Sequence, residues 1–184
     1  MTKKNVTIVG YRGNIRKENE DIYLRKCIGN FQSNTGNIVG TEVSGFVITK
    51  TGKIDLSNCY DIKISNEKGN TFLENCKVEN ISTGGSVNLH NTHINVFCGE
   101  NLQGIGSQID TLVLPQMKRN KITQNIAFNL FNPNTWFNRK KETLEELPVY
   151  IVPDGIIIKQ IKTDRDVISK YPITILGQGK LITK

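Results

Sequence analysis

The residues best equipped for chemistry in this chain are a run of cations mixed with aromatics between positions 117 and 141. Lys118, Arg119, Lys121, Arg139, Lys140 and Lys141 stand there without an acid, among Phe131, Trp136 and Phe137. Such a mixture can hold phosphates or anionic lipid headgroups by charge, while the rings stack on bases or enter an apolar layer. The competing reading is a cap, in which the rings cover the open end of a core and the cations solvate the cover. Exposed strand edges invite association, so an end must be covered. The cap is the favoured reading. If the segment is instead an arm, Lys118, Arg119, Lys121, Trp136, Phe137, Arg139, Lys140 and Lys141 are its partner-binding residues.

Other reactive residues are dispersed. His90 and His93 flank Asn91 and read as surface residues; a groove shared with Asp110 or with the basic segment would be needed to make them a base. Asp55, Asp61, Glu74 and Glu79 alternate with Lys53, Lys63 and Lys77, the pattern of a solvated face of mixed charge. Nothing in it places two carboxylates at glycosidase spacing. Cys27, Cys59 and Cys76 share a column with Val43 and Thr92, as buried, inert thiols would. No Cys-x-x-Cys pair or Cys/His cluster has zinc spacing. Gly104-Ile105-Gly106 lacks the strand–helix setting of a phosphate-binding loop. No catalytic residue, metal site or cofactor is expected.

What must position these side chains is a repeat. Gly52-Lys-Ile54-Asp-Leu56-Ser-Asn58-Cys59 recurs as Asn70-Thr71-Phe-Leu73-Glu-Asn75-Cys76 and as Ser86-Val87-Asn-Leu89-His-Asn91-Thr92, a step of 16 or 17 residues. One column reads Val6, Ile22, Ile38, Ile54, Thr71, Val87, and a second reads Ile8, Leu24, Gly40, Leu56, Leu73, Leu89. A third runs Tyr11, Cys27, Val43, Cys59, Cys76, Thr92, and a fourth Phe46, Ile62, Val78, Ile94. Glycines 36, 52, 69 and 85 keep the step, and Asn58, Asn75 and Asn91 mark a corner, either as a side-chain ladder or because Asn suits turns. Within each unit apolar and polar residues alternate, which is a strand signal. A unit this short buries its apolar face only by stacking on its neighbours. The spacing therefore predicts an all-β fold, a single-stranded parallel β-solenoid of short coils.

Regular coils are predicted over 3–114, with the last of them, 98–114, looser. An irregular insertion or cap follows at 115–147, with a possible short helix ending at Pro148. Irregular coils of the same domain resume over 148–184, where Ile157 and Ile173 repeat the 16-residue step. Charge follows these divisions. Residues 1–30 hold seven Lys/Arg against three acids, 31–114 hold five against eight, and 115–141 hold six against none. The regular coils are thus not a cationic surface. No apolar run is long enough to cross a membrane, and the start is too short in apolar residues for a signal peptide, so a cytoplasmic protein is expected.

In coil length and short alternating strands, residues 3–114 resemble the bactofilins, bacterial scaffold proteins that polymerise through a compact β-solenoid. Bactofilin coils are richer in Gly and Val and carry no basic aromatic insertion. The resemblance implies a self-associating scaffold, and fold alone does not fix function. The leading expectation is thus a non-enzymatic scaffold that self-associates or docks another protein. A carbohydrate-active or other small-substrate enzyme, with its groove beside 115–147, is the alternative. Binding of nucleic acid or anionic membrane through the basic insertion comes third.

Overall fold

The computed structural model describes residues 4–117, the backbone of 121–125 and 140–144, and residues 146–183. Each coil contributes two short strands. The first is β1 (Asn5–Val9) with β2 (Arg12–Lys17), the second β3 (Asp21–Arg25) with β4 (Ile28–Ser33), and the third β5 (Ile38–Thr41) with β6 (Ser44–Thr49). Then come β7 (Ile54–Ser57) with β8 (Tyr60–Asn66), β9 (Thr71–Glu74) with β10 (Lys77–Thr83), and β11 (Val87–His90) with β12 (His93–Cys98). The seventh coil is β13 (Leu102–Ile105) with β14 (Ser107–Val113). Odd-numbered strands to β13 stack in parallel into a seven-stranded A sheet. Even-numbered strands to β14 begin a B sheet of nine strands, and the fold is the predicted all-β solenoid.

Past β14, the strands β15 (Lys121–Asn125) and β16 (Lys140–Leu144) pair antiparallel. The segment in which a short helix was expected before Pro148 thus contains a strand, because pairing with 121–125 overrides its local helical pattern. After it come β17 (Tyr150–Ile151), β18 (Ile156–Lys162), β19 (Val167–Ser169), β20 (Thr174–Leu176) and β21 (Leu181–Thr183). β18 pairs directly with β14, and β20 with β18, so the B sheet passes the insertion without a break. β17, β19 and β21 form a separate parallel sheet.

Register explains which columns hold. The first two predicted columns are in Cα register throughout, with Gly40 facing Leu24 and Leu56. Two expectations need correction. Phe46 pairs with Lys63 and stays 45% exposed, so it is not in the inward column; Gly45 stands opposite Ile62 instead. Ile157 is 55% exposed, and the ladder joins Ile161 to Ile175, a step of 14 rather than 16, because the coil after the insertion turns more tightly. Tyr11 also lies outside the core, 39% exposed at the head of its column.

The corner between the A and B strands has a single cause. Lys26, Glu42, Asn58, Asn75 and Asn91 all have φ between +48° and +55°, and Gly10 and Gly106 complete the column at +65° and +66°. One left-handed residue per coil turns the chain, and Asn tolerates that conformation better than most residues. Its amide then bonds to the next coil, as in Asn58 N–H to Glu74 O at 2.9 Å and Asn75 N–H to His90 O at 2.9 Å.

A second device sits at the opposite corner. Thr49 Oγ1 accepts from the Gly52 amide at 3.0 Å and donates to Gly36 O at 3.4 Å. Asn66 repeats this one coil on, accepting from the Gly69 amide at 2.8 Å and donating to Gly52 O at 3.3 Å. Ser33 does the same below, with the Gly36 amide and Glu20 O, both at 3.0 Å. These three side chains are buried, so each needs such partners. Together they tie three successive turns each to the one beneath it.

Candidate functional site

The B sheet changes construction part-way, and that change shapes its outer face. In the second and third coils, Gly29 and Gly45 bend the strand at φ +149° and +107°. A Cβ on either would lie within 2.1 Å of the glycine carbonyl one coil below. From β8 onward the bend is made with extra residues. Asp61, at φ +50°, is passed over between Tyr60 and Ile62, and Glu79 is passed over in the register with β8. Asn95, Asp110 and Lys159 follow Glu79 in the same column of β12, β14 and β18. Bulges of this kind re-aim side chains, and here they open a depression of about 410 Å³ bordered by Asp61, Lys63, Lys77, Glu79, Asn80 and Asn95.

Higher on the same face, the B sheet brings His93 and Asp110 together. His93 Nε2 lies 3.1 Å from Asp110 Oδ2, Gln108 Nε2 donates to Asp110 Oδ1 at 3.0 Å, and Lys159 Nζ reaches the same oxygen at 2.7 Å. Burial pushes the Asp110 carboxyl up, but the hydrogen bonds from Lys159, His93 and Gln108 outweigh it and hold the group down at about 2. Asp110 is therefore an anion throughout the neutral range, joining three coils and spanning the point where the insertion leaves. The depressed folded value means its contribution is present above the unfolded carboxyl value near ~4 and is lost as pH falls through about 2. Asp110→Asn is expected to cost about 1 kcal/mol at pH 7. Urea melts of both proteins should converge as pH approaches 2. A gap that persisted there would show that the carboxylate's charge is not what the coils use.

The remaining acids behave as a mixed-charge face. Lys53 pairs with Asp55 at 2.8 Å and Lys63 with Glu79 at 3.0 Å, while His90 Nδ1 lies 3.2 Å from Glu74 on the A sheet. The His90 and His93 pairs are on different sheets and do not form one site. Cys27, Cys59 and Cys76 are free and buried. A hydrogen bond to Cys76 and burial both push the Cys59 thiol up. Cys98 is partly exposed and is also pushed up by burial, so it is no ready nucleophile.

A larger cavity, of about 540 Å³, sits where the insertion leaves and returns, between Met117, Leu147, Thr83, Cys98 and Lys162. Arg165 is on its wall but is committed elsewhere. Its Nη1 meets Glu100 Oε1 at 2.5 Å and its Nε donates to Pro148 O at 2.7 Å, with the guanidinium 5.7 Å from the Tyr150 ring. Composition and spacing did not single out Arg165. A buried arginine leaves no periodic mark, and its partners lie 65 and 17 residues away.

Of the basic and aromatic residues, Lys118, Arg119, Trp136, Phe137 and Arg139 lie outside the described residues. Lys121, Lys140 and Lys141 are on the β15–β16 pair, where Lys121 stands opposite Leu144 and Lys140 opposite Asn125. The backbone thus separates Lys121 from Lys140 by the length of the ladder, about 13 Å. Among the described residues no cluster of His, Cys, Asp and Glu could hold a metal ion, and no helix is long and apolar enough to cross a membrane. The chain matches no protein-family model, no curated protein and no solved structure.

Proposed function

We propose that this chain is a rigid β-solenoid scaffold that associates with further copies of itself through the ends of its sheets. The observation that carries this reading is the open first rung. β1 and β2 are paired on one side only, and Val6, Ile8 and Ile15 are half-buried above a fully buried Ile22 and Phe31. At the other end Ile175 and Leu181 are likewise half-buried on β20 and β21. Among the described residues nothing covers either edge. Unpaired parallel edges are templates for further pairing, and the last rung of one copy has the polarity to meet the first rung of the next. Arg12, Arg16 and Lys17 along β2 disfavour two first rungs meeting each other, which leaves a head-to-tail contact and an open filament.

Sedimentation velocity over a concentration series, at low and high salt, tests this. The sedimentation coefficient of the wild type should climb with concentration, and Ile15→Lys should hold it at the monomer value. A wild-type monomer at every concentration in both salts removes the reading.

A small-substrate enzyme has one observation in its favour, the contact of His93 with Asp110. Against it, that carboxylate is already shared with Lys159 and Gln108, and the pair does not line the cavity at the insertion. A hydrolytic activity abolished by His93→Gln would put this reading first.

A further inference from the structure

We propose that the depression on the outer face of the B sheet, centred on Asp61, Lys77, Asn80 and Asn95 with Tyr60 beside it, binds a neutral, hydroxyl-rich ligand of the glycan class. Unlike the Asp110 group above it, this part of the face spends only the Lys63–Glu79 pair on joining coils. Among the described residues, the side chains of Asp61, Lys77, Asn80 and Asn95 make no hydrogen bond or ion pair, although each is exposed and the pairing of Lys63 with Glu79 runs between them. They supply one carboxylate, one ammonium and two amides within a single concavity.

Asp61 adds a backbone observation. Its φ of +50° lies outside the column of left-handed corners, in a strand, on a residue with a Cβ. Strain of that kind persists where the surrounding structure imposes it, and it gathers at binding sites. Here it lifts the carboxylate out of the ladder and toward the depression.

Charge selects the ligand class. Asp61 and Glu79 balance Lys63 and Lys77, so the depression has no net field to attract a polyanion or a polycation. Donors and acceptors are present in equal measure, as a ligand bearing many hydroxyls requires, because each hydroxyl both donates and accepts. Tyr60, 57% exposed, stands beside Lys77 in the ladder and offers an apolar ring face with a polar tip. The polar rows repeat once per coil, about 4.8 Å apart along the axis. A linear chain of sugar rings could thus meet successive coils with similar groups.

The test is a titration of the intact, 15N-labelled chain with four neutral hexasaccharides, built of glucose, xylose, mannose or N-acetylglucosamine, followed by amide shifts. Heparin serves as a polyanionic probe. At least one neutral oligosaccharide should move the amides of residues 60–63, 77–80 and 94–96 and leave the A sheet still. Asn95→Ala and Tyr60→Ala should each weaken that binding about tenfold, the loss of one hydrogen bond or ring contact, with thermal melts unchanged because both side chains are exposed. No shift with any of the four at millimolar concentration overturns the proposal, as do shifts confined to other residues or affinities that both variants leave intact. Stronger, salt-sensitive binding of heparin at the same amides also overturns it, by showing an anion site. The titration is run on the full-length chain carrying Ile15→Lys, which changes only the end and holds the protein monomeric, so none of these outcomes depends on whether the wild type self-associates.

Discussion

Gly52→Ala is expected to destabilise the fold by about 3 kcal/mol or more. The added Cβ would lie 1.9 Å from Gly36 O and 2.6 Å from Gly36 C, both backbone atoms with nowhere to go. Coil spacing is set by the strand hydrogen bonds on either side of this corner, so the clash cannot relax by moving one rotamer. It would also break the relay in which Thr49 joins the Gly52 amide to Gly36 O. Gly69 presents the same 1.9 Å contact with Gly52 O, so Gly69→Ala should cost as much. Gly10 is the control. Its φ is +65° and a Cβ there meets nothing within 4 Å, and three of its column mates are asparagines. Gly10→Asn should therefore change stability by no more than ~0.5 kcal/mol. Urea denaturation of the three variants decides the matter. Equal losses at Gly10 and Gly52 would mean that backbone freedom, not coil contact, is what the glycine column supplies.

Glu100→Ala is expected to cost about 3 kcal/mol, although Glu100 is itself a third exposed. The reason lies in its partner. The Arg165 side chain is 5% exposed, and without the carboxylate its charge would remain buried with only Pro148 O and the Tyr150 ring for company. Arg165→Leu should cost less, about 2 kcal/mol, because Glu100 can turn to water while a hydrophobic side chain fills part of the space. A double-mutant cycle should then return a coupling of about 1 kcal/mol or more. The same variants should lose amide exchange protection at Tyr150 and Val152, whose N–H groups bond to Asp166 O and Ile168 O beside Arg165. If Glu100→Ala melted like the wild type, Arg165 would have to be solvated, and the return of the insertion would not depend on it.

The two predictions differ in how visible their residues are in the chain. The glycine column is periodic and could be found by counting. Its purpose could not, because these glycines are needed for a carbonyl one coil away and not for their own backbone angles. Asn58, Asn75 and Asn91 were visible as a corner for the same reason of period. That Lys26 and Glu42 adopt the same left-handed turn was not visible, since the ladder imposes the angle on residues that do not favour it. The bulges from Asp61 onward appear in the chain only as a step lengthening from 16 to 17, which does not say where the extra residue goes.

By itself the amino-acid sequence determined the architecture. Period-two alternation inside a repeat of 16 or 17 residues admits one economical burial, coil upon coil, and the inward columns follow from it. Only the tertiary structure decided which outward side chains meet. Neighbours on that face are a full coil apart in sequence, and one bulge changes which of them face each other. His93 with Asp110, Glu100 with Arg165, and the unengaged group around Asp61 all depend on that register. Burial repeats along the chain and can be counted. Contact across coils depends on how far each strand slides against the next, which the strand hydrogen bonds and their bulges settle in space.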